Sequence, residues 1–189
     1  MEACERLMSS KWFSKQVERE AAKDVLPPSE WIGQLIGFVC GVILLAFFAI
    51  HETRPTGFFT EDFGSADAAL LYAFIVLGMI SPLVRFVFGR KNVGRPFDAL
   101  GIAYVFVVGL YFLVKFPFDF SHFADPLPRA LEPLLDWIPG DLARWLLGLG
   151  VVFSPFISAY NLLLYMGIKK RLSEKKEADS KSNAKQSAV

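Results

Sequence analysis

The chain has 189 residues, 53% of them hydrophobic and 21% charged, with a formal net charge of +1. A mean hydropathy of +0.39 excludes an ordinary soluble domain. Two cysteines, Cys4 and Cys40, exclude a disulfide framework and offer no metal-ligand spacing.

The N-terminal segment, residues 1–30, is polar and precedes a Pro27-Pro28 break. Within it Met8, Trp12, Phe13, Val17 and Ala21 form a drifting apolar stripe. That pattern fits either an interfacial helix lying in the membrane plane or a loosely ordered arm. It matches no nucleic-acid motif, and no nucleic-acid partner is expected.

Four apolar stretches follow, at about residues 31–50, 66–88, 97–117 and 142–168. Each reaches the roughly 20 residues that a helix rising about 1.5 Å per residue needs to cross a hydrocarbon core about 30 Å thick. The fold class is therefore all-α, a four-transmembrane-helix bundle spanning residues 31–168, with the lipid bilayer as its first partner. The first stretch follows some 30 polar residues without a small-residue cleavage pattern, so it reads as a retained helix.

In the first span, Gly33, Gly37 and Gly41 recur every four residues, a glycine-zipper pattern. Lacking a hydrophobic drive between helices in lipid, such helices associate through close backbone approach. The fourth span carries a similar ladder at Gly150, Ser154 and Ser158. The two ladders are expected to face each other inside one bundle; the alternative is that one of them joins subunits of a homo-oligomer or meets another membrane protein.

Interior prolines mark the second and fourth spans, at Ser81-Pro82 and Ser154-Pro155. Each removes a hydrogen bond to the carbonyl four residues back, Gly78 and Val151, and should kink its helix. Arg85 and Asp98 flank the short connection from Gly89 to Pro96 and are expected to pair across it, on the cytoplasmic side. Pro96 and Asp98 also suit the first turn of the third span.

The outer loops hold most of the remaining signals. Phe58, Phe59 and Phe63 in one loop and Phe116, Phe118, Phe120 and Phe123 in the other should build an aromatic rim. In the last outer loop Leu127, Leu131, Leu134, Leu135 and Ile138 share one helix face, which predicts a short amphipathic interfacial helix that Pro133 bends or splits in two. His51 and His122 are the weak candidates for metal ligation, with Glu52, Asp119 and Asp125 near them in sequence, but their spacing fits no known metal motif. No catalytic residues and no cofactor are expected.

Charge orients the chain. Of its 20 basic residues, 16 fall in the N-terminal segment, the second connection with its flank, and the tail 169–189; short loops rich in Lys and Arg stay in the cytoplasm. Both termini are thus expected on the cytoplasmic side of a cell membrane, with the basic tail a disordered extension. Functionally the sequence favours a non-enzymatic interaction or assembly subunit, because its spans carry packing devices and few polar groups. A small oligomeric channel or transporter using the Ser-Pro kinks stands second, and a metal-dependent enzyme on the outer face a distant third.

Overall fold

The computed structural model describes residues 10–54 and 56–186; Cys4 and Met8 lie outside them. The described chain is helical: α1 (Lys11–Ala22), α2 (Pro28–Thr53), α3 (Ser65–Phe88), α4 (Arg95–Lys115) and α5 (Gly140–Gln186). Four segments are long and apolar enough to cross a membrane, Pro28–Thr53, Ser65–Phe88, Asn92–Lys115 and Gly140–Glu174.

Local chemistry sets the helix ends. Ser10 caps α1, its Oγ accepting from Phe13 N at 3.2 Å, and the Pro27-Pro28 pair places a proline in the first turn of α2. Gly89 ends α3 in the left-handed conformation at φ 63°, where a residue without Cβ is favoured. Phe116 ends α4 at φ 41°. A non-glycine residue there costs roughly 1–2 kcal/mol, and its ring is held between aromatic neighbours described below.

Packing runs sequentially: α2 against α3, α3 against α4, α4 against α5, and α1 against the far part of α5. This corrects the expected facing of the two small-residue ladders. A Cβ on Gly37 would lie 3.7 Å from Pro82, and one on Gly41 would run into Met79, so the ladder of α2 turns toward α3. Gly33 has open space. On α5, Ser154 is buried and Ser158 Oγ donates to Ala99 O of α4 at 2.8 Å, whereas Gly150 has nothing near. These two helices approach closely at a glycine that the four-residue pattern misses: a Cβ on Gly109 would sit 2.6 Å from Val151 Cγ2.

Two further expectations are overtaken. Residues 127–138 do not form an amphipathic helix; they make successive turns with a single 3-10 turn at Glu132–Leu134. Pro128, Pro133 and Pro139 recur every five or six residues there, and each withholds a backbone donor. The last helix does not stop at Ile168 but continues to Gln186, through a stretch rich in Lys, Arg, Glu, Leu and Ala, all good helix formers. Pro82 and Pro155 sit inside unbroken helices. At Pro155 the freed carbonyl finds another donor, since Ser154 Oγ bonds Val151 O at 3.0 Å.

The α4–α5 contact gives a direct test. Gly109→Ala should lower stability by about 1–3 kcal/mol, because Val151 is β-branched and stiff at χ1, while Gly33→Ala and Gly150→Ala should be neutral or mildly stabilising. Thermal unfolding in detergent reads this; equal shifts for the three variants would contradict the packing.

Candidate functional site

Polar and aromatic residues gather at the two ends of the helices, with apolar packing between. At the aromatic end, the loop after α2 and the loop after α4 are stitched together. Asp119 N donates to Phe58 O at 2.7 Å and Thr60 N to Pro117 O at 3.2 Å. This small antiparallel bridge brings both sets of phenylalanines onto one another. Phe58 is the centre of the cluster: it is 1% exposed, and its ring centroid lies 5.0 to 5.5 Å from those of Phe59, Phe118, Phe120 and Phe123. Such spacings are those of favourable offset and edge-to-face contacts.

His51, the single buried residue of α2, lies against Phe47 and Phe58 at 4.8 and 4.6 Å between centroids. Its Nδ1 shares a hydrogen bond with Thr56 Oγ1 at 2.6 Å; its Nε2 is buried with no hydrogen-bond partner among the described residues. His122 packs over Gly57 and is bonded through Nδ1 to Asp125 Oδ2 at 2.9 Å. Glu52 is engaged by the Tyr72 hydroxyl. Among the described residues no group of three or more His, Cys, Asp or Glu side chains is placed to hold a metal ion. Asp119 accepts from Ser121 N at 3.0 Å and Ser121 Oγ at 2.6 Å, and these bonds hold its carboxyl below the usual carboxylate range. The bonds are therefore at full strength above the ordinary Asp pKa of 3.8 and are lost only as pH falls through the lower folded value.

The least anticipated element at this end is Asp67. It lies in the first turn of α3, is 1% exposed, and accepts from Gly64 N at 2.7 Å, Tyr111 Oη at 2.7 Å and Lys115 Nζ at 2.6 Å. One carboxylate thus caps α3 and ties it to the end of α4. In sequence it counts only as one more loop acid. The signal available was its position three residues after Gly64, opposite a lysine closing the next span.

Beneath the rim lies an apolar cavity of about 230 Å³, walled by Phe58, Leu71, Phe74, Val108, Phe112, Leu147 and neighbouring phenylalanines. Its lining is hydrocarbon almost throughout.

At the opposite, basic end, the segment from α1 to α2 clasps the α3–α4 connection. Leu26 N donates to Gly89 O at 3.0 Å and Lys91 N to Asp24 O at 2.8 Å. Asn92 reaches Glu20 O at 3.3 Å, and Arg95, 6% exposed, pairs with Glu20 and donates to Asn92 Oδ1 at 2.7 Å. Arg85 and Asp98 are paired, Arg85 Nε also bonds Lys91 O at 3.0 Å, and Ser81 Oγ bonds Gly94 O at 3.1 Å. Meanwhile α1 buries Phe13 and Val17 against Leu164 and Ile168 of α5. Sequence reading located the Arg85 and Asp98 flanks but not the role of Glu20, whose partner lies 75 residues away.

No family model, curated protein or solved structure matches this chain. Fold and site together define an all-helical protein with four helices long and apolar enough to cross a membrane.

Glu20→Ala should leave Arg95 buried without its carboxylate, at a cost of about 3–5 kcal/mol. Hydrogen exchange should then speed up across residues 11–22 while α4 stays protected. Unchanged exchange in α1 would show that the apolar contacts alone hold it.

Proposed function

We propose that this chain is a multi-pass membrane protein acting as a non-enzymatic interaction or assembly subunit, with both termini in the cytoplasm of a cell membrane. The observation that carries the reading is the fate of the polar side chains buried among the apolar helices. Ser154 bonds its own helix, Ser158 bonds α4, Ser81 bonds the α3–α4 connection, and Asp67 ties α3 to α4. They serve as ties between elements. A channel or transporter needs polar atoms facing a passage at depth, and these hydroxyls are already engaged.

The partner-facing surface is also supported. No residue of the most apolar window of α2 is buried, and α2 packs chiefly on α3. In a bilayer its remaining faces meet lipid or a second protein, and a homo-oligomer or a distinct membrane partner both fit. Orientation rests on the charge asymmetry, with the basic end, holding Arg90, Lys91 and Arg95, on the cytoplasmic side.

Reporter fusions in residues 89–96 and after residue 168 should read cytoplasm, and fusions in 56–65 and 124–137 should read the outside. Gentle detergent extraction should yield a stoichiometric complex, either of copies or with another membrane protein. A monodisperse monomer at native expression, with no partner retained after cross-linking in the membrane, would overturn the assembly reading.

A further inference from the structure

The apolar cavity at the aromatic end has a shape that points to an occupant. Along α4 its wall is formed by Val105, Val108, Gly109, Phe112 and Phe116, one helical face running about 16 Å at 1.5 Å per residue. The space is thus a slot aligned with the helices, reaching from the loop rim to the level of Val105. Its volume of about 230 Å³ exceeds the roughly 150 Å³ of an all-hydrocarbon cavity that stays dry and takes up benzene.

At the rim end, the Arg144 guanidinium lies over the Phe116 ring, 4.3 Å from its centroid. Phe116 is the residue held in the left-handed conformation at φ 41°, and a strained backbone there aims its ring between slot and cation. A guanidinium presents its N–H donors as a planar fork that matches phosphate oxygens. An elongated hydrocarbon slot with a cation at one end is complementary to a hydrocarbon chain carrying an anionic head.

We infer that the slot binds one acyl chain of a membrane glycerophospholipid, with the phosphate at Arg144. This rests on the membrane placement proposed above but not on the assembly role. The lipid fills the gap between α3, α4, α5 and the loop phenylalanines, and so serves as a structural part of the aromatic end.

The test uses the full chain in phosphatidylcholine vesicles containing a phospholipid with a photoactivatable diazirine in its acyl chain, with labelled residues mapped by mass spectrometry. Labelling of Val108, which is 4% exposed, should exceed that of the outward-facing Val107 and Phe156, 64% and 71% exposed, by at least fivefold. Leu147→Trp should cut labelling of Val108 at least fivefold by filling the slot. Arg144→Gln should cut capture of the phospholipid probe at least threefold while leaving capture of a diazirine alkane unchanged. Labelling of Val107 and Phe156 equal to or above that of Val108 in the wild-type chain overturns the inference, whatever the folding of the variants. Release of the chain from vesicles by alkaline carbonate would overturn the membrane placement, whereas retention with labelling confined to outward faces would overturn the slot alone.

Discussion

A polar group buried among hydrocarbon side chains must find its partner within the protein, because an unpaired amide, hydroxyl or charge in such surroundings costs several kcal/mol. That constraint shapes this molecule throughout. It makes the apolar stretches helical, since only a helix satisfies its backbone without neighbours, and it concentrates side-chain hydrogen bonding at the helix ends. Asp67 shows it most clearly: a carboxylate only 1% exposed is held by three donors, two from α4 and one from the residue that precedes α3. The same rule explains Ser154, which returns a donor to the carbonyl that Pro155 leaves open.

The two ends solve different problems with different chemistry. At the basic end, ion pairs and backbone hydrogen bonds fasten α1 and the α3–α4 connection together, with Glu20 shared between Arg95 and Lys91. At the aromatic end, ring packing around Phe58 joins the loops beside the Asp67–Lys115 pair, and among the described residues few buried side-chain polar groups lack a hydrogen-bond partner. His51 is one of them, 2% exposed with Nε2 unpartnered. Between the ends the helices meet through small residues, and Gly109 admits Val151 to a distance at which any side chain on α4 would intrude.

How much of this was legible in the sequence follows from the range of each interaction. Span lengths depend on local hydropathy, and the four apolar segments emerge close to their read positions. The Arg85 and Asp98 flanks of one short connection were readable for the same reason. Helix partnership was not, because Gly33, Gly37 and Gly41 specify that something approaches closely without specifying what, and α3 proves to be the neighbour of Gly37 and Gly41. The leucine periodicity of 127–138 was real, but three prolines decide the backbone there. Glu20 and Asp67 act across 75 and 48 residues, and nothing in a single sequence connects such pairs. The aromatic rim was readable as composition; its bridge at Phe59 and Phe118, and the slot beneath it, were not.

The central claim is that the polar residues within the apolar helices are ties and not the walls of an aqueous passage. Cysteine accessibility in membranes measures this directly. With Cys4 and Cys40 replaced by serine, Ser154→Cys and Ser158→Cys should resist a membrane-impermeant thiol reagent applied from either side, while a cysteine at Ser121, in the loop after α4, reacts. Rapid modification of position 154 or 158 in the folded protein would place water at that depth and contradict the account.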